Sequence, residues 1–157
     1  MTEPEFIEQQ LKEAYDGDPW HGPSLLAVVQ GVTADQAALR PVALGHSIWE
    51  LVLHIVAWER VVRRRLGGEA VTGLSAEQDF PYVADTSETA WRHALDQLHQ
   101  GNSQLRIAIR VFPEDRLQET VPGRDHTFRT MLHGVVQHQA YHAGQASLLN
   151  RAVSARG

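Results

Sequence analysis

Ser47 and Glu50 stand three residues apart at the head of a run in which Ile48, Leu51, Val52, Ile55, Val62 and Leu66 recur at helical spacing. A serine at an N-cap accepts from the backbone N–H three residues on, while the glutamate reaches back to the cap N–H. This Ser-x-x-Glu box therefore marks where a helix starts, and Gly67-Gly68 marks where it stops. The expected helix runs from about Ser47 to Leu66.

The other segments are punctuated in the same way. Glu5 to Tyr15 reads as a helix ended by Asp16-Gly17-Asp18-Pro19, a cluster that favours turns and whose proline cannot continue a helix. The helix resumes near Pro23, expected in its first turn, and carries Leu25, Leu26, Val28 and Val29 before Gly31. Thr33 with Gln36 resembles a capping box opening one short turn before Pro41. The stretch from Gly67 to Pro81, with Gly, Ser and Thr and little periodicity, is expected to be loop. Trp91, Leu95, Leu98 and Leu105 share one face of a helix from about Ser87 to Ile109, ended by Phe112-Pro113. After Pro122-Gly123, Thr127 can cap a last helix reaching roughly Ala152. The β-branched clusters at Val28 and Val135 sit inside helical patterns and not between hairpin turns.

Four main helices, the first interrupted, imply an all-α four-helix bundle. With 157 residues and 43% apolar content the chain has enough for one domain, expected to span residues 1–157. Lys and Arg number 14 against 19 Asp and Glu, a net charge of −5. Cations concentrate only at Arg63, Arg64 and Arg65, near a helix C-terminus where they meet the dipole, so nucleic acid is not an expected partner. Cysteine is absent, which excludes disulfides, thiolate ligands and a cysteine nucleophile; any thiol chemistry must use a thiol that arrives as a small molecule. No membrane span or signal segment is read, and a cytoplasmic location is the expectation.

The chemistry lies in the histidines. His138 and His142, four residues apart, stack one helical turn from each other with Cβ atoms roughly 5–6 Å apart. Met131, Val135, His138, His142, Gln145 and Leu149 fall in one arc, so the pair faces the core. Neighbouring core histidines are costly unless their ring nitrogens find partners, and a shared metal satisfies one nitrogen on each. His54 is the candidate third ligand, in an arc with Leu51, Trp58 and Val61. Spacing alone leaves the alternative open: such a pair also arises by chance among nine histidines, and a core histidine is also satisfied by a carbonyl or carboxylate. His21, His46, His93, His99, His126 and His133 read as surface or capping residues.

The pattern His46-Ser47-Ile48-Trp49-Glu50-Leu51 leading into His54, together with His138-x-x-x-His142-Ala143-Gly144-Gln145, resembles the DinB-like proteins, the superfamily that also contains thiol-dependent S-transferases. The similarity spans nearly the whole chain and includes Trp20-His21-Gly22-Pro23. The resemblance implies a four-helix bundle, often a homodimer, whose metal, usually nickel or zinc, is held by histidines matching His54, His138 and His142. Many relatives carry Arg before the Gly-Gln; Ala143 here spares the ligands but removes a charged group able to steer an anionic substrate.

Three neutral imidazoles leave a metal its full charge and at least one open position. The expected activity is transfer of a low-molecular-weight thiol to an electrophilic substrate, or hydrolysis at the same site. Gln145 is a candidate for orienting a ligand, and Glu50 for a supporting acceptor or general base. Both also have structural uses, Glu50 in its capping box. Trp49 and Trp58 are expected to pack or to wall a pocket. The alternative is a non-catalytic, stress-associated protein that sequesters a metal or small molecule.

Overall fold

The computed structural model describes residues 1–155; the last two residues of the expected 1–157 domain lie outside the described residues. Seven α-helices make up the described chain: α1 (Glu3–Asp16), α2 (Leu25–Val29), α3 (Ala34–Ala38), α4 (Ile48–Leu66), α5 (Ala76–Asp79), α6 (Glu88–Arg110) and α7 (Phe128–Ser154). Among the described residues there is no strand, only a single antiparallel bridge between Thr120 and Thr127. None of these helices is long and apolar enough to cross a membrane.

The four long helices form the bundle. α4 packs on α6 and α7, and α1 packs on the same two, so the order around the bundle is α1, α6, α4, α7. α2 continues the wall begun by α1, lying against α7, and α3 closes one end over α4, α6 and α7.

The apolar core falls into two clusters. One contains Tyr15, Leu25, Val56, Trp91, Leu98 and Ala143; the other contains Leu11, Val62, Leu105, Phe128 and Val135. Each long helix crosses from one cluster to the other: α1 between Leu11 and Tyr15, α4 between Val56 and Val62, α6 between Leu98 and Leu105, α7 between Val135 and Ala143. The sense of crossing shows that α1 and α7 run one way and α4 and α6 the other, which the long crossover over residues 67–87 permits.

At the level where all four helices cross lies a buried polar layer. Asn102 Nδ2 donates to Glu59 Oε1 and to Gln139 Oε1, both at 3.0 Å, and Gln139 Nε2 reaches the Leu11 carbonyl at 3.4 Å. Glu59 is only 2% exposed, and burial pushes its carboxyl up to about 8, with Asn102 and Arg63 pulling the other way. Glu8 is also buried, and it is neutralised by Arg106 at 2.7 Å and Arg110 at 2.6 Å, tying α1 to α6.

Ser47, Ser87 and Thr127 each cap the helix they were expected to open, and the Thr33–Gln36 box is formed. Three expectations are corrected. α1 starts earlier, because Thr2 and Glu5 form a capping box with Pro4 in the first turn. Pro23 lies outside α2, because Ser24 takes the cap by accepting from Ala27 N–H. The stretch before Pro81 is not all loop: Ser75 and Gln78 form a capping box that opens α5.

Candidate metal centre

His54 lies on α4, and His138 and His142 lie one turn apart in the middle of α7. Because α4 packs directly on α7, the three rings meet: centroid separations are 4.9 Å for His54–His138, 4.5 Å for His54–His142 and 4.4 Å for His138–His142. One ring nitrogen from each lies within 4.8 Å of the others. His54 Nε2 and His138 Nε2 are 3.0 Å apart.

The outer nitrogens show which lone pairs point inward. His54 Nδ1 lies 2.9 Å from Asp79 Oδ1 and 3.0 Å from the Asp79 carbonyl oxygen. His142 Nδ1 lies 2.6 Å from Gln145 Oε1. Oxygen acceptors at those positions place a hydrogen on Nδ1, so in the neutral form each ring keeps its lone pair on Nε2. Without an ion, the Nε2 contact between His54 and His138 requires His138 to donate; with an ion, both nitrogens become ligands.

Aromatic rings hold the cluster in place. Phe80, immediately after α5, stacks on His54 at 4.2 Å, and His46 stacks on the opposite face of Phe80 at 3.6 Å. Trp58 stands edge-on to His54 at 6.5 Å and to His138 at 6.3 Å, and its Nε1 donates to Asp79 Oδ1 at 2.7 Å. His54 and His142 are 6% and 7% exposed. Burial pushes His138 down to about 3, reinforced by its histidine neighbours and opposed by Asp79. Burial also lowers His142, against the hydrogen bond to Gln145. Both rings are therefore neutral at physiological pH, the form that binds metal.

The donor set fits a divalent transition ion. Bonds of about 2.0–2.1 Å in tetrahedral geometry place nitrogens roughly 3.3 Å apart, a span comparable to the one these three rings present. Asp79 and Gln145 accept from the outer nitrogens, hydrogen bonds of the kind that orient imidazoles where they do ligate a metal.

The other sequence candidates are distributed differently. Gln145 touches His142, but both oxygens of Glu50 are engaged: Arg40 donates to them through Nε and Nη2, and Ser47 N–H donates at 2.7 Å. Trp49 is buried against Trp91 at 5.1 Å. His99 meets the Tyr15 hydroxyl at 3.2 Å, and His133 meets Glu3 at 3.0 Å. His46, read from sequence as a surface or capping residue, is half-buried in the Phe80 stack, its Nδ1 making no hydrogen bond among the described residues and lying 3.9 Å from Glu50 Oε2. Sequence reading missed Asp79. Its signal was the Ser75-x-x-Gln78 box, which places a helical turn where loop was expected.

Residues 20–146 match the family model of the DinB superfamily, so the chain belongs to that superfamily. No curated protein and no solved structure matches the chain.

Proposed function

We propose that His54, His138 and His142 hold one divalent transition metal, zinc or nickel, and that the protein transfers a low-molecular-weight thiol to an electrophilic small molecule. The observation that carries the metal reading is the convergence of three imidazoles, His54 and His142 buried and His138 half-buried, two of them with Nδ1 facing an oxygen acceptor and Nε2 turned toward the others. The thiol reading draws on the superfamily resemblance and on the absence of cysteine, which requires the sulfur to come from outside.

When bound, the metal supplies a Lewis acid that stabilises the thiolate form of a thiol and so makes it nucleophilic near neutral pH. Asp79 and Gln145 keep the Nδ1 protons of His54 and His142 in place, which holds Nε2 as the donor atom. Phe80 and Trp58 shield the cluster from water on their side. The thiol gives its proton to solvent, its sulfur bonds to the electrophilic carbon of the second substrate, and the bond from that carbon to its leaving group breaks, the group departing with the electron pair as chloride does from 1-chloro-2,4-dinitrobenzene.

Sequestration without turnover is the competing reading. It is favoured by the engagement of the nearby carboxylates: Glu50 is held by Arg40 and the Ser47 N–H, and Asp79 is held by His54 and Trp58, so neither is free to act as a base.

The test is a transfer assay with cysteine and 1-chloro-2,4-dinitrobenzene on protein loaded with zinc or nickel, beside a His138→Ala, His142→Ala variant. Turnover that rises with metal content and disappears in the variant supports transfer. Metal held without turnover supports sequestration.

A further inference from the structure

Arg63, Arg64 and Arg65 end α4, and their side chains part company. Arg63 reaches Gln104 and Arg64 pairs with Glu69 at 2.8 Å, both at the surface. Arg65 turns inward and is only 4% exposed. Its Nε and Nη2 both donate to the Val71 carbonyl oxygen, at 2.9 and 2.7 Å. Its Nη1 makes no hydrogen bond among the described residues, and no described carboxylate forms an ion pair with it. Buried arginines are ordinarily matched by an acid, and even the half-buried Arg106 is matched by Glu8. Arg65 has instead a carbonyl on one side and, in Arg124, a like charge that opposes its own; burial first and Arg124 second lower its proton affinity.

Arg65 lines a pocket of about 160 Å³, more than ten times the roughly 10–15 Å³ that one water needs. Trp58, Val62, Met131 and Gly134 line it, and its remaining wall includes His138. Trp58 joins the two ends, with its ring 5.9 Å from Arg65 Cζ and 6.3 Å from the His138 ring.

Gly134 is the second observation. It sits inside α7, one turn before His138, where glycine weakens a helix relative to alanine. A Cβ built there meets nothing within 4 Å, so close packing does not require the glycine. A side chain at this position would enter the pocket; the glycine keeps it open.

We propose that this pocket binds the carboxylate end of a small organic acid, with the carboxylate on Arg65 and the carbon chain against Val62 and Met131, beside His138. An arginine fork suits a carboxylate in both charge and shape, and the apolar lining excludes a strongly hydrated inorganic anion. The carboxylate subsite is read from Arg65 and the pocket and stands without the metal; its place in a transferase site rests on the function proposed above. The acid is either the electrophile or the thiol itself.

The test is a titration of the full-length protein with butyrate, followed by NMR at the Trp58 indole N–H, in zinc-loaded and metal-free samples. Saturable binding is expected in both, so loss of the metal reading would leave this result standing. Arg65→Met is expected to weaken butyrate at least tenfold. Gly134→Leu, which leaves Arg65 untouched and fills the pocket from the opposite wall, is expected to do the same and decides the matter if Arg65→Met fails to fold. Butyramide, of the same shape but uncharged, is expected to bind at least tenfold more weakly than butyrate. With zinc bound, 3-mercaptopropionate binding tighter than butyrate assigns the carboxylate to the thiol, and equal binding assigns it to the electrophile. No saturable butyrate binding, butyramide binding as well as butyrate, or affinities within twofold of native in the folded variants would overturn the proposal.

Discussion

Asp79 Oδ1 lies 2.9 Å from His54 Nδ1, although the two residues come from different helices and stand 25 residues apart in the chain. The carboxylate also accepts from Trp58 Nε1, so one acid fixes both a candidate ligand and the aromatic wall beside it. A carboxylate behind a ligating histidine fixes the tautomer and raises the basicity of the opposite nitrogen.

Removing that support is expected to weaken metal binding without unfolding the bundle. Asp79→Ala should reduce zinc affinity about 10–100-fold in competition with a chromophoric chelator. Asp79 is on a four-residue helix outside the core clusters, so the thermal midpoint of the metal-free protein should move by no more than about 2–4 °C, the equivalent of ~1 kcal/mol for a chain of this size. An unchanged affinity would mean that Asp79 does not orient His54.

The acid side of metal binding follows from the buried rings. Protons compete for imidazole lone pairs, and a site of three ordinary histidines loses about three decades of affinity per pH unit well below about 6.5. Burial holds His138 down at about 3 and also lowers His142, so proton competition at these two rings is displaced toward acid. Zinc affinity measured from pH 6.5 to pH 5 should fall more shallowly than that limit. A full three-decade slope would show that the rings titrate as exposed histidines.

Glu59 gives the bundle a pH dependence of stability independent of metal. Its folded carboxyl, held up at about 8, keeps a proton that the unfolded chain releases near 4.5. The native state therefore binds more protons than the unfolded state between those values, and stability declines as pH rises through that window, by up to about 1.4 kcal/mol per unit. His138 and His142 act oppositely and only below the ordinary histidine range, because their folded pKa values are depressed and acidification costs stability there. Glu59→Gln keeps an acceptor for Asn102 and removes the titration. Denaturant unfolding at pH 6.5 and 8.5 should show the variant gaining on native protein at the higher pH; a constant difference would contradict a protonated Glu59.

Much of this was legible before the fold was known, where the signal was local. The Ser47–Glu50 and Thr33–Gln36 boxes, Ser87 and Thr127 encode their helix starts within a single turn of chain. The four-residue spacing of His138 and His142 encodes a shared face; His54 stands out as third candidate by its arc with Leu51, Trp58 and Val61, and the resemblance adds to that reading. What escaped depends on tertiary partners. Asp79 sits on a helix too short to show apolar periodicity, and its significance lies in His54, 25 residues away. The inward turn of Arg65 cannot be told from its surface neighbours Arg63 and Arg64 without knowing that Val71 lies beneath it. Glu50 read as a possible base because its sequence position is one turn from His54; only the fold shows Arg40 closing on it.

The central claim is that three imidazoles hold one metal, and elemental analysis of native protein beside the His138→Ala, His142→Ala variant tests it most directly. The account predicts about one zinc or nickel per chain in the native protein and none in the variant, with both remaining helical. No metal in the native protein after supplementation with zinc or nickel, or equal metal in both proteins, would contradict it.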